Sequence, residues 1–168
     1  MLLAAVFGVV LVALTILVHY EALRLISTYL LPGLTAVRPR ARMVFVIFGV
    51  FAAHTLEIYI YAVGFWLMEV SGAGVGGAAL AHYNGTPITD FTSLLYFSSV
   101  AYTSLGFGDI VPLGGAQLVA GIEALNGLLM IGWSASYTYL CMEKLWPLHI
   151  RDGERKHWRE HCKQCRLH

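Results

Sequence analysis

The residues whose types and spacing most clearly suit chemistry are Thr103-Ser104-Leu105-Gly106-Phe107-Gly108, followed by Asp109. That chemistry is coordination of a cation by oxygen. A file of backbone carbonyls can replace the hydration shell of a potassium ion if successive C=O groups face one axis. An ordinary strand forbids this, because its carbonyls alternate. Gly106 and Gly108 relieve the restriction, since left-handed dihedrals carry no Cβ penalty at glycine. The Ser104 hydroxyl could supply one more oxygen at the inner end of the file. K+ ions are the ligands such a run would hold.

Two other groups of residues could do chemistry. His54 and Glu57 lie one helical turn apart in an apolar stretch, and Glu123 lies in another. Ionisable groups at membrane depth usually face protein. They suit either a proton-sensitive gate or hydrogen bonds that tie helices together. The tail His157-x3-His161-Cys162-x2-Cys165-x2-His168 has the residue types of a Zn2+ site, in which His157, His161, Cys162 and Cys165 would be the ligands. A solvated basic anchor on anionic lipid is the reading favoured over metal binding, and a thiol redox sensor is the third.

The elements that must position these groups follow from composition. The chain has 168 residues, 58% hydrophobic and 12% charged. It is too apolar to keep a soluble surface of its own. All eleven Lys and Arg fall within Arg24 to Arg42 and Lys144 to Arg166, and Met43 to Glu143 has none. Three nearly uncharged stretches, Met1–Val18, Met43–Met68 and Leu118–Cys141, are long enough to cross a hydrocarbon core, which takes about 20 helical residues. The first is read as a retained helix rather than a cleaved signal, since it lacks a basic start. Leu23 to Leu31 reads either as an interfacial helix or as a continuation of the first span.

Between the second and third spans, Phe91 to Tyr102 is helical in pattern and capped by Thr89 or Asp90, yet too short to span. It reads as a re-entrant helix, because non-helical backbone at membrane depth is tolerated only where it is buried or lines a watery path. Cytoplasmic loops carry the excess of Lys and Arg, which puts the N-terminus outside and the C-terminal tail in the cytoplasm. The three cysteines then lie on the reducing side, and no disulfide framework is implied. Ser71 to Gly85 would form an outer turret, whose formal sequon Asn84-Gly85-Thr86 is given no role. The fold class expected is an all-α membrane protein with three transmembrane helices, a re-entrant pore helix and a selectivity-filter loop. Residues 1–42 form the first helix and basic loop, 43–143 the pore domain and 144–168 the basic tail.

The run from Ala101 to Pro112 resembles the pore signature of the potassium channel superfamily, Thr-Thr-Val-Gly-Tyr-Gly-Asp. Thr103 and Ser104 match the threonine pair, Leu105 the valine, Gly106 and Gly108 the glycines, Phe107 the tyrosine and Asp109 the aspartate. The resemblance covers roughly Thr89 to Cys141, in the order pore helix, filter and inner helix. It implies that Tyr96 bonds Asp109 as filter support, and that Val100 stands where some bacterial two-helix channels carry a buried glutamate. It also implies a hinge at Gly127. Counted from that hinge, Leu128, Ile131, Ala135 and Tyr139 would face the cavity, and a ring of Ile131 or Tyr139 could close it by dewetting. One chain supplies one pore segment where the carbonyl cage needs four, so a homotetramer in the lipid bilayer is expected.

The function expected is passive, potassium-selective conduction across a bacterial inner membrane. No nucleotide motif, nucleic-acid motif, small-molecule ligand site or catalytic constellation is visible, and neither outer span carries the arginine spacing of a voltage sensor. Ser104 and Phe107 depart from the commonest filter, which keeps a weakly selective cation channel as the alternative. From a different class comes a small membrane redox or metal-handling protein using Cys162 and Cys165. A subunit of a potassium transporter is the third reading, although such chains usually carry four repeats.

Overall fold

The computed structural model describes residues 2–72 and 79–164, with side chains as far as 145. The first helix, α1 (Leu2–Leu25), runs without a break into a π turn (Ile26–Leu30) and a last short turn, α2 (Leu31–Gly33). This is the continuation, not a separate interfacial helix. Pro32 has no N–H, and its ring crowds the carbonyl four residues back, so the chain widens just ahead of it. The Leu31 N–H bonds the Ile26 carbonyl in consequence.

Helix α3 (Pro39–Val70) starts with proline at its first position, after Arg38 in an extended conformation. Helix α4 (Phe91–Tyr102) is capped by Asp90, whose side chain accepts from the Ser93 N–H at 2.9 Å. Its bounds are those expected from the sequence. Helix α5 (Gly115–Gln164) runs for 50 residues. At 1.5 Å per residue that is about 75 Å, more than twice the hydrocarbon thickness. The basic tail therefore begins as a continuation of α5.

Among the described residues, three helices are long and apolar enough to cross a membrane, Leu2–Gly33, Pro39–Val70 and Gly115–Leu145. Their outward faces carry Leu14, Leu17, Phe48, Phe51 and Leu129 exposed, as a lipid-facing surface does. One correction concerns fold class: the chain is mostly helical but not purely so. Strand β1 (Leu80–His82) pairs antiparallel with β2 (Ile110–Pro112), with Leu80 opposite Pro112 and His82 opposite Ile110. The Tyr83 N–H also reaches the Asp109 carbonyl at 2.9 Å. This ladder was invisible as a pattern, because each strand has only three residues and their pairing is non-local.

Helix α1 packs against both α3 and α5. Its buried positions, Ala4, Gly8, Leu11, Thr15, His19 and Leu23, fall three or four apart on one stripe. Small residues let the backbones approach: a Cβ on Gly8 would come within 2.8 Å of Ile122, and one on Gly64 within 2.8 Å of Leu11. The main core gathers Tyr61, Phe65, Leu80, Ile88, Leu94, Phe97, Tyr102 and Val119 behind the chain that follows α4. A smaller cluster joins Leu23, Ile26, Val46, Val50 and Cys141 at the other end.

Candidate ion-conduction site

Helix α4 ends at Tyr102 and the chain leaves it as an irregular segment from Thr103 to Asp109, entirely exposed on the isolated chain. Its start is tied to the helix by the Thr103, Ser104 and Leu105 N–H groups, which reach the carbonyls of Ser99, Ala101 and Val100. Its far end is held by the β1–β2 ladder. Between these anchors Ser104 has φ 57°, Gly106 φ 61° and Gly108 φ 80°. Left-handed residues thus recur at every second position, the arrangement that frees carbonyls from strand-like alternation. The glycines take these angles as expected. Ser104 was not expected to, since a side chain there costs about 1–2 kcal/mol.

The residues expected to support this segment lie around it as follows. Tyr96 lies near Asp109, close enough for the carboxylate to act on its hydroxyl. The Thr103 hydroxyl is turned back to donate to the Ser99 carbonyl at 2.8 Å. Val100 is buried against the core. Leu105 and Phe107 remain 59% and 65% exposed, so nothing among the described residues covers them.

On α5, Leu128, Ile131, Ala135 and Tyr139 all lie on the face turned away from the chain's own core. Gly127 is buried, and a Cβ there would fall 2.1 Å from the Tyr102 carbonyl oxygen. Close approach of α5 to the end of α4 is therefore a packing reason for glycine, independent of bending. The tail residues His157, His161, Cys162 and Cys165, read as zinc ligands from their spacing, lie outside the described side chains.

Behind the segment is a buried polar cluster that sequence reasoning found only in part. His54 and Glu57 do face inward, but they are joined by His19 of α1, Tyr102 of α4 and Ser134 of α5. The Tyr102 hydroxyl donates to Glu57 Oε2, and His19 Nδ1 lies 2.7 Å from Glu57 Oε1. A carboxylate only accepts, so His19 Nδ1 is the donor. The single Tyr102 hydrogen is then spent, which leaves His54 Nδ1, 2.9 Å away, as donor to the Tyr102 oxygen. His19 Nε2 reaches Ser134 Oγ at 3.2 Å. The donor atoms of His19, His54 and Glu57 lie within 4.8 Å of one another, a set that could also hold a divalent cation. The signal for His19 was available in the sequence, in the stripe of small and polar residues along α1.

Other ties follow the same pattern. Ser98 Oγ lies 2.9 Å from the Ile58 carbonyl and 2.6 Å from Glu123 Oε1, linking α4 to both α3 and α5. Glu123 is fully buried. Glu69, given no role from sequence, accepts from the Ala79 N–H at 2.6 Å. The Ala79 carbonyl in turn accepts from Leu113, so Glu69 helps anchor the ladder. Trp133 packs 5.2 Å from the His19 ring.

A short helix, a segment of alternating handedness at its end and two long flanking apolar helices define a pore-forming membrane protein. A family model described as ion channel matches residues 55–144, more than half of the chain. The chain belongs to that ion channel family, and the matched region is a pore module of the potassium channel superfamily. No curated protein and no solved structure matches the chain.

Proposed function

We propose that the chain is one subunit of a potassium-selective channel, in which four copies surround a central pore and K+ moves passively down its gradient. The observation that carries this reading is the recurrence of positive φ at Ser104, Gly106 and Gly108, directly after a short helix. A row of carbonyls freed from alternation can coordinate a dehydrated cation, and the partially negative C-terminal end of α4 favours positive charge nearby. Thr103 to Gly108 would be the ion-binding residues, with Tyr96 and Asp109 as support.

Fourfold assembly is supported by what one chain leaves uncovered. Leu105 and Phe107 are apolar and exposed, and in a tetramer neighbouring copies would cover them. The exposed α5 row of Leu128, Ile131, Ala135 and Tyr139 would line the cavity below the filter, where a ring of Ile131 or Tyr139 would form the gate. In this arrangement α4 is re-entrant from the outer face. The basic clusters then lie in the cytoplasm of a bacterial inner membrane, and the N-terminus outside. The second reading, a weakly selective cation channel, draws on Ser104 and Phe107 and on the Thr103 hydroxyl, which is committed to Ser99.

The test is purification in detergent, a mass measurement, and reconstitution into vesicles loaded with K+ and diluted into Na+. A mass of four chains and an inside-negative diffusion potential are expected. A monomer, or vesicles that develop no potential, would contradict the reading.

A further inference from the structure

The turn that launches the filter is pinned from two sides, and neither pin belongs to the carbonyl file. Tyr102 is the last residue of α4, one position before Thr103. Its main-chain carbonyl lies against Gly127, where even a methyl group would not fit. Its side chain, 1% exposed, points the other way and donates to Glu57 while accepting from His54. Glu57 receives His19 on its other oxygen, and His19 reaches Ser134. One residue at the mouth of the filter is thereby tied to α1, α3 and α5 together.

Such a tie has a physical cost that simple helix packing does not require. A fully buried carboxylate within a bilayer is expensive unless it is paired and hydrogen-bonded, and apolar residues of the same shape would hold helices as well. The filter, in contrast, needs what apolar packing cannot give. Ser104 sits at φ 57°, a conformation that persists only when its surroundings over-determine it. Directional bonds to Tyr102 fix the preceding residue in a way that dispersion contacts do not.

We propose that Glu57, held by His19, is a positioning residue for the filter, acting through the Tyr102 hydroxyl to set the geometry on which ion discrimination depends. The proposal rests on the reading of Thr103 to Gly108 as a potassium filter. It makes α1, which lies outside the residues matched by the family model, part of the permeation apparatus.

The experiment compares the full-length channel with Tyr102→Phe, Glu57→Leu, their double variant and Ser98→Ala in planar bilayers, with K+ on one side and Na+ on the other. Tyr102→Phe and Glu57→Leu are each expected to lower the K+ over Na+ permeability ratio about tenfold, one decade being about 1.4 kcal/mol at 25 °C. The double variant should be no worse than the worse single, because both remove one bond. Ser98→Ala also cuts a tie between α4 and its neighbours, but away from the filter turn. It should lower the melting temperature and leave the permeability ratio unchanged.

Tyr102→Phe removes one oxygen and keeps the ring, so it decides the matter if Glu57→Leu fails to assemble. An assembled Tyr102→Phe channel with the native ratio would overturn the proposal. So would an equal loss in Ser98→Ala, which would reduce the cluster to helix packing. A native chain without discrimination would sink the filter reading itself and this inference with it, and that failure shows in the native channel alone.

Discussion

At the scale of single residues, the segment after α4 depends on a few side chains that set backbone geometry. Asp90 begins α4 by accepting the Ser93 N–H, and that bond holds its carboxyl below the usual carboxylate range. A group whose folded pKa is depressed contributes stability above its unfolded pKa and loses it as pH falls through the folded value. The native protein should therefore show a melting temperature that drops on acidification through the carboxylate range. Asp90→Asn keeps a capping oxygen without the charge, and its melting curve should be flatter over that range. Identical acid limbs in the two proteins would remove Asp90 from the account. Ser104 works in the opposite sense: it is the one non-glycine residue at positive φ among the described residues, and it marks where the segment is held against its own preference.

At the scale of elements, the decisive contact is between the end of α4 and the middle of α5. Gly127→Ala would drive a Cβ to 2.1 Å from the Tyr102 carbonyl oxygen, while Gly132→Ala meets nothing within 4 Å among the described residues. Overpacking of this kind costs about 1–3 kcal/mol or displaces the backbone. Purified in detergent, Gly127→Ala should melt well below the native protein and Gly132→Ala close to it; equal melting temperatures would show that α4 and α5 are not so closely apposed. This contact also marks the limit of what sequence can tell. Uncharged length marked the three long helices, and the Asp90 cap with a short apolar pattern marked α4 to the residue. Gly127 could be read only as a hinge, because the atom that demands glycine lies 25 residues earlier in the chain. The same holds for the β1–β2 ladder, for Glu69 and for His19: each gains its role from a partner distant in sequence, and periodicity carries no record of partners. His54 and Glu57 were legible as ionisable groups in an apolar span, but not as two members of a cluster spanning four helices.

At the scale of the whole molecule, α1 and α3 present apolar surfaces outward and hold a polar cluster between them, while α4 and the segment after it leave Leu105 and Phe107 uncovered. That combination suits a membrane protein, and the uncovered side chains are what the proposed assembly would bury. Helix α5 carries the chain far beyond the hydrocarbon layer. All of this turns on the segment from Thr103 to Gly108 being a potassium filter. The most direct measurement is the reversal potential of reconstituted channels with K+ on one side and Na+ on the other, for the native chain and for Gly106→Ala. With φ 61° at Gly106, a methyl group there strains the segment by about 1–2 kcal/mol per copy. The account predicts a potential strongly favouring K+ in the native channel and a loss of that preference, or of current, in the variant. A native reversal potential near zero, or an unchanged one in Gly106→Ala, would contradict it.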